Sequence, residues 1–216
     1  LLTVTPDDNF YSTLENNIIV TVTANDGVLS SNAVSFTLNV ININDAPIVD
    51  QIANQTIDED NSYSFTATAS DSDNTDSELT FSATAGDNAD VTYSGVSNEQ
   101  ITITPDDHFH GSIEITVTAD DGESTSDDES FTLLILPVND APSLDSIADD
   151  QTDEDEAFVL LLTGSDVDGD DLSYSASVND YASVSILDDV LTVTPNTDFY
   201  GDLTVTVIVS DGDLSS

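Results

Sequence analysis

Two short acidic pairs, Asp71-Ser72-Asp73 and Asp166-Val167-Asp168, are the residues best placed to do chemistry. In an extended backbone, residues i and i+2 point the same way, so each pair can present two carboxylates to one ion. Hard oxygen donors without His or Cys beside them suit calcium better than zinc or copper. An EF-hand is not the container. Counting from Asp166, position six is Asp171 where that loop needs Gly, position twelve is Ser177, and no flanking helices are expected.

His108 and His110 invite a second metal or catalytic reading. Internal alignment argues against it, because Phe10, Phe109 and Phe199 correspond, and so do Tyr11, His110 and Tyr200. A place where His exchanges with Tyr is a packing or turn position, with Phe109 expected in the core. The chain carries no nucleophile elbow, no Gly-rich phosphate loop and no cationic substrate clamp. Carboxylate pairs abound, but a glycosidase needs two of them in a shaped cleft, and nothing suggests inserted active-site loops. The expectation is a non-catalytic chain.

Composition narrows the partners. The 216 residues hold 44 Asp and Glu and no Lys or Arg, a formal charge of -44. Side-chain ion pairs are limited to the two histidines, and the charge must be relieved by solvent cations or bound metal. Nucleic acid is excluded, since phosphate contacts need cations that are absent. Anionic membrane surfaces are excluded by the same logic. Most of the acids are Asp, which suits turns and oxygen-rich metal loops. An acidic surface adapted to a salty medium is the plainer reading of the same charge. There is no Cys, so no disulfide framework exists and the redox compartment is not readable. No apolar run approaches the ~18 residues of a membrane span.

The elements that must position these acids repeat along the chain. Asn44-Asp45-Ala46-Pro47 returns as Asn139-Asp140-Ala141-Pro142, and at the same offset Asp58-Glu59-Asp60 returns as Asp153-Glu154-Asp155. Leu2-Thr3-Val4-Thr5-Pro6 recurs as Ile101 to Pro105 and as Leu191 to Pro195, each time followed by an aromatic, an alternating strand and an Asp-Gly turn. A period of about 95 residues is the size of a small domain, not of a solenoid unit. Ile113, Ile115, Val117 and Ala119 alternate with polar residues, as do Ile18, Val20, Val22 and Ala24, and as Leu203, Val205, Val207 and Val209 alternate with their neighbours. Period 2 in β-branched residues, with Gly, Asp, Asn and Pro between the runs, predicts strands with one buried face. The fold expected is all-β: tandem seven-stranded Greek-key sandwiches of the Ig-like kind, end to end. Residues 1–44 are read as the C-terminal part of a repeat, residues 45–139 as a complete repeat, and residues 140–216 as a repeat without its last strand. The missing strand is the one corresponding to residues 35–40 and 130–135. The chain is therefore expected to be a stretch of a longer protein, with targeting signals outside it. An unfilled sandwich edge is a liability. Either the parent chain continues, or self-association head to tail supplies a strand from a neighbour.

Placed on such a sandwich, the acids gather at the ends of each repeat. Asp71, Asp73 and Asp121 fall at one pole, and Glu59, Asp106 and Asp107 at the other, beside the exit Asn139-Asp140.

This arrangement resembles the cadherin family, and especially the bacterial cadherin-like tandem repeat domains of large extracellular adhesins. Val22-Thr23-Ala24-Asn25-Asp26-Gly27 followed by Val40-Ile41-Asn42-Ile43-Asn44-Asp45-Ala46-Pro47 looks like the last two strands and linker of that family. The resemblance covers the whole chain. It implies calcium at the inter-repeat junctions, with Asn42, Asn44, Asp45, Asp71, Asp73 and Asp121 as ligands at the first, and Asp7 or Asp8 as further candidates. At the second it implies Glu59, Asn139, Asp140, Asp166, Asp168 and Asp211, with Asp106 or Asp107 beside them. Two departures stand out. Where the family has an Asp two residues before the linker Asn, this chain has Asn42 and Pro137, and Pro137 offers no side-chain oxygen, so fewer ions are expected at the second junction. The linker is also one residue shorter.

Asn54-Gln55-Thr56 is an N-glycosylation sequon, and Asp145-Ser146-Ile147 resembles an O-glycosylation motif of some surface bacteria, which makes Asn54 and Ser146 candidate modification sites. The leading functional reading is a structural module of an extracellular or cell-surface adhesin, stalk or fibril, rigidified by calcium. The alternatives are a module that binds a glycan or a surface protein through its loop tips, and accessory repeats of a larger extracellular enzyme. Tyr93 and Tyr181 are the only loop aromatics that could serve glycan recognition.

Overall fold

A computed structural model describes every residue except Leu14 and Glu15, and the side chain of Asp76. The chain divides into two compact units, Leu1–Ile135 and Leu136–Ser216.

The first unit opens with β1 (Ile18–Val22) and β2 (Val34–Leu38), which pair antiparallel with Val20 opposite Phe36 and Ile18 opposite Leu38. These two strands form a sheet of their own, and Phe36 remains 49% exposed. Nine strands follow: β3 (Ile48–Val49), β4 (Gln55–Asp58), β5 (Tyr63–Thr66), β6 (Ala69–Ser70), β7 (Thr80–Thr84), β8 (Ala89–Ser94), β9 (Gln100–Pro105), β10 (Gly111–Asp120) and β11 (Glu129–Leu136). One sheet runs β4-β11-β10-β7 and another β5-β9-β8, with β3 paired to β6. The alternation read in the sequence is what makes this a sandwich. Ile101 and Ile103 of β9 point inward, as do Ile115, Val117 and Ala119 of β10 and Phe131, Leu133 and Ile135 of β11, and all are buried. Phe131 is central: its ring meets those of Phe65 at 5.4 Å and Tyr63 at 6.3 Å, both edge-on. Such aromatic pairs add to the stabilisation from burial alone.

The second unit contains β12 (Ser143–Leu144), β13 (Phe158–Leu161), β14 (Gly164–Ser165), β15 (Ser173–Val178), β16 (Ala182–Leu187), β17 (Val190–Pro195) and β18 (Val205–Ser210). Its sheets are β13-β17-β16, β15-β18 and β12-β14. β18 corresponds to β10, but the strand is shorter than the sequence pattern predicts, since Leu203 and Thr204 lie outside it. The reason is visible in the middle block, residues 45–135 of the first unit, which carry β3 to β11. There, Gly111 to Ile115 take their ladder partners from β11 alone, and β7 reaches only Thr116 to Asp120. No described strand of the second unit stands where β11 does, so the early residues of the run have nothing to pair with. The same lack thins the core. Ile113, Ile115 and Val117 are buried, whereas their counterparts Leu203, Val205 and Val207 are only half-buried.

Candidate metal centre

The acids predicted as ligands are placed by turns. After β6 the chain bends, and Asp71 Oδ1 accepts hydrogen bonds from the backbone N–H groups of Asp73 and Asn74, both at 2.7 Å. After β14, Asp166 Oδ1 accepts from Asp168 at 2.9 Å and from Asp170 at 3.4 Å. The extended backbone expected for these pairs is thereby corrected. Each first Asp folds one oxygen back onto its own turn, as Asp side chains commonly do.

The Asp-Gly turns are built the same way three times. Asp26 Oδ1 accepts from Val28 and Leu29, both at 2.9 Å. Asp121 Oδ1 accepts from Glu123 at 2.7 Å and Ser124 at 2.6 Å, and Asp211 Oδ1 from Asp213 at 2.7 Å and Leu214 at 2.6 Å. In the last two turns the second oxygen reaches a linker. The Asn44 amide donates to Asp121 Oδ2 at 2.8 Å, and the Asn139 amide donates to Asp211 Oδ2 at 2.9 Å. The next residue is held as well: Asp45 N–H donates to Asp73 Oδ2 and Asp140 N–H to Asp168 Oδ2, each at 2.8 Å. Asn44, Asp45, Asp71, Asp73 and Asp121 are thus brought together in the first unit, and Asn139, Asp140, Asp166, Asp168 and Asp211 in the second. The two clusters are copies of one clamp.

The hydrogen bonds set the electrostatics. The Asn44 amide, then the Ser124 and Glu123 N–H groups, hold the Asp121 carboxyl below the ordinary Asp range. The Leu214 N–H, then the Asn139 amide, do the same for Asp211. Asp170 moves the other way, raised by loss of hydration and then by the neighbouring carboxylates of Asp166, Asp168, Asp211 and Asp213. It is the acid the sequence analysis did not single out. Asp166, Asp168 and Asp170 each place a carboxylate oxygen within 4.8 Å of the others. The corresponding residue in the first cluster is Thr75.

Both clusters keep an unsatisfied oxygen. Asp71 Oδ2 and Asp166 Oδ2 are shielded from solvent and have no hydrogen-bond partner among the described residues. A shielded carboxylate oxygen without a donor is costly. In an all-oxygen cluster with no cationic side chain, a hard divalent cation is the group that fits it.

The remaining candidates belong to other segments of the chain. Asn42 is exposed on the approach to the linker, and Asp7 and Asp8 are exposed, although neighbouring Asn9 donates its amide to Ser72 Oγ at 3.1 Å. Glu59 and Asp107 belong to the first unit. Glu59 is buried with His110 Nδ1 4.0 Å from its carboxylate, while Asp107 is exposed in a turn. His108 stands at φ 56, as Asn9 does at 54 and Asp198 at 58, so this is a left-handed turn position after all three Thr-Pro pairs. Asp60 caps that turn through the His108 N–H at 3.0 Å, and Asp155 caps the Asp198 N–H at 3.0 Å. The last acid of each Asp-Glu-Asp motif is therefore a turn clamp.

Asn54 accepts the Thr132 N–H of β11 at 2.9 Å, and Ser146 is exposed. Neither tyrosine stands alone as a platform, and Tyr93 lies within β8, not in the loop expected for it. The Tyr93 hydroxyl donates to Ala83 O at 2.7 Å and accepts from Ala83 N–H at 2.9 Å, tying β8 to β7. Tyr181 stacks on Phe199 with centroids 5.0 Å apart.

A family model described as Bacterial Ig domain matches residues 44–133 and again 139–216. No curated protein gives a significant match. Among solved structures, an endo-fucoidan hydrolase from glycoside hydrolase family 107 is 20% identical with a TM-score of 0.38, covering 93% of this chain and 32% of that one. Domains 4-9 of the surface layer protein SbsC are 15% identical with a TM-score of 0.35, covering 93% and 34%. The tandem Ig repeats of Dlar are 12% identical with a TM-score of 0.30, covering 79% and 92%. The chain spans about a third of the length of the first solved structures it matches.

Proposed function

The chain belongs to the bacterial Ig domain family, as two tandem repeats of that domain, and from this premise we propose that it is a non-catalytic structural module of an extracellular or cell-surface protein, braced by calcium at its linker clusters. The observation that carries the proposal is the duplicated clamp. Asn44 and Asn139 engage Asp121 and Asp211 alike, and Asp45 and Asp140 engage Asp73 and Asp168 alike. Each copy leaves one shielded Asp oxygen, on Asp71 or Asp166, without a hydrogen-bond partner among the described residues. Two sites of the same construction, at the two linkers, are what a spacer needs and what a single active site does not.

Asp71, Asp73 and Asp121 would hold the ion in the first cluster. Asp166, Asp168 and Asp211 would hold it in the second, with Asp170 in reach. The ion neutralises carboxylates that no Lys or Arg can pair with in a chain of charge -44. Extracellular calcium sites commonly have dissociation constants of ~10⁻⁴ to 10⁻³ M. At ~10 mM calcium, linkage then gives roughly 1.4 to 2.7 kcal/mol per site. That is a substantial share of a domain stability of ~5–15 kcal/mol. Thermal unfolding in calcium and in chelator tests the reading. A higher melting temperature in calcium, weakened by Asp71→Asn and Asp166→Asn, is expected. Equal melting temperatures in the two buffers would refute it.

A further inference from the structure

Strands β7 and β15 correspond, and each is an edge strand, paired on one side only, β7 to β10 and β15 to β18. The free edge is closed in the middle block and bare in the second unit. Alternate residues of β7 turn their backbone N–H and C=O groups away from β10. Of these, Phe81 donates its N–H to Ser97 O at 3.0 Å. Ala83 donates its N–H to the Tyr93 hydroxyl at 2.9 Å, and that hydroxyl donates back to Ala83 O at 2.7 Å. Both caps come from β8 and the turn that follows it. In the second unit the counterparts of Phe81 and Ala83 are Tyr174 and Ala176. Tyr93 is replaced by Ile186, whose side chain can make no hydrogen bond. The turn of residues 95–99 is replaced by Asp188 and Asp189 alone, which is too short to reach back as Ser97 does. Among the described residues nothing caps this edge of Tyr174 or Ala176. The contrast is set entirely by residues 173–190.

We propose that the bare edge of β15 pairs with the same edge of a second copy, antiparallel about a two-fold axis at Ala176. An edge strand is a template for another strand unless it is short, charged, interrupted by Pro or covered. Ser173–Val178 has six residues, with no acid and no Pro among them. The edge strands β4 and β8 of the middle block, by contrast, carry Asp58 and Asp90. Charge then selects the occupant and the register. Two copies of -44 repel wherever acids face each other, so the added strand must bring no acid against Asp170, Asp171 or Asp180, which flank β15. A second β15 does this. With Ala176 opposite Ala176, Tyr174 falls opposite Val178, and these are the residues whose N–H and C=O face outward. Asp170 then falls opposite Ala182 of the second copy, Asp171 opposite Tyr181 and Asp180 opposite Leu172. A shift of two residues one way would set Asp170 against Asp180. The same shift the other way would set Tyr174 against Asp180, outside the strand. Main-chain ladders of this kind supply affinity without side-chain charge. The contact joins identical surfaces, so association closes at two copies.

The register supplies the test. Ser175 and Ser177 are exposed, and across the axis Ser175 of one copy faces Ser177 of the other as a non-hydrogen-bonded pair, with Cα atoms about 4.5 Å apart, within disulfide reach. The chain has no Cys, so an equimolar mixture of Ser175→Cys and Ser177→Cys chains can join only through introduced thiols. In chelator with ~1 M salt, which screens the repulsion, the mixed disulfide is expected to exceed either symmetric one. Sedimentation of the unaltered chain in the same buffer should show mass rising with concentration towards two copies and no further. Ile186→Tyr restores to β15 the cap that Tyr93 gives β7 and should weaken association at least tenfold. Ala176→Pro should do the same by removing the outward N–H, with no ladder bond to β18 lost, and it carries the test if Ile186→Tyr fails to fold. A chain monomeric at every concentration would overturn the proposal. So would mixed disulfides no more abundant than symmetric ones, or association that Ala176→Pro leaves unchanged. A synthetic peptide of residues 171–181 that binds the chain while the copies stay apart would overturn it too, since the edge would then take a strand other than its own.

Discussion

Phe131 and Phe36 occupy the same place in the same four-residue strand sequence, and truncating each to Ala separates sequence from environment. Phe131 is 2% exposed and packs edge-on against Phe65 and Tyr63. Phe→Ala in such a core costs about 3–5 kcal/mol. For a domain of this size each kcal/mol lowers the melting temperature by roughly 4–8 °C, so the middle block should lose about 12–40 °C, enough to unfold it near ambient temperature if its stability sits at the low end. Phe36 is 49% exposed on a two-stranded sheet. Half of a full aromatic burial amounts to about 1 kcal/mol, and that loss falls on residues 1–44 alone. Differential scanning calorimetry on dilute protein reads both, because it resolves separate transitions. The expected result is a large downward shift of one transition for Phe131→Ala and little change for Phe36→Ala. Equal losses would refute the reasoning, since they would mean that Phe36 already sits in a core. A loss under ~1 kcal/mol for Phe131→Ala would equally show that β11 does not complete the sandwich.

Tyr93→Phe removes both bonds to the Ala83 peptide and should cost about 1–3 kcal/mol, read as a lower urea midpoint with an unchanged slope. Acid should destabilise the chain even in chelator. Asp26, Asp121 and Asp211 have folded pKa values held low by turn and amide hydrogen bonds, so their contribution is complete above the ordinary Asp value of about 3.9 and is lost as pH falls through the folded values. A melting temperature flat from pH 5 to the lowest pH reached would contradict this. Asp170 has the opposite sign, its carboxyl raised by lost hydration and by four neighbouring acids. Its ionised form works against the fold above that raised value, so Asp170→Asn should raise the melting temperature in chelator at neutral pH and lower it in calcium relative to the unaltered chain. A variant that melts lower in both buffers would sink that assignment.

Local features were legible in the sequence, and long-range ones only where the repeat supplied them. Period-2 alternation located β10 and β18, and the Asp-Gly pairs located turns that close identically at Asp26, Asp121 and Asp211. The linker residues Asn44 and Asn139 were found because they repeat, and their partners Asp121 and Asp211 because the same repeat places them at one end of a sandwich. The length of β18 was misjudged at Leu203 because the alternation was read without asking which strand would pair with it, although the repeat already showed the strand corresponding to residues 130–135 to be missing. Asp170 escaped notice for a related reason: comparing repeats favours what both copies share, and the other copy has Thr75. The Tyr93 hydroxyl and the Asn54 amide read as a loop aromatic and a sequon. Their bonds to Ala83 and Thr132 depend on which strands lie beside them, which periodicity alone does not fix.

The central claim is that both linker clusters take calcium. A crystal of the chain grown in calcium, with an anomalous difference map collected at long wavelength, tests it most directly. One peak is expected among Asp71, Asp73 and Asp121 and another among Asp166, Asp168 and Asp211, each coordinated by the oxygen of Asp71 or Asp166 that has no hydrogen-bond partner among the described residues. A map with no peak at either cluster, or with peaks only on acids elsewhere on the surface, would contradict it.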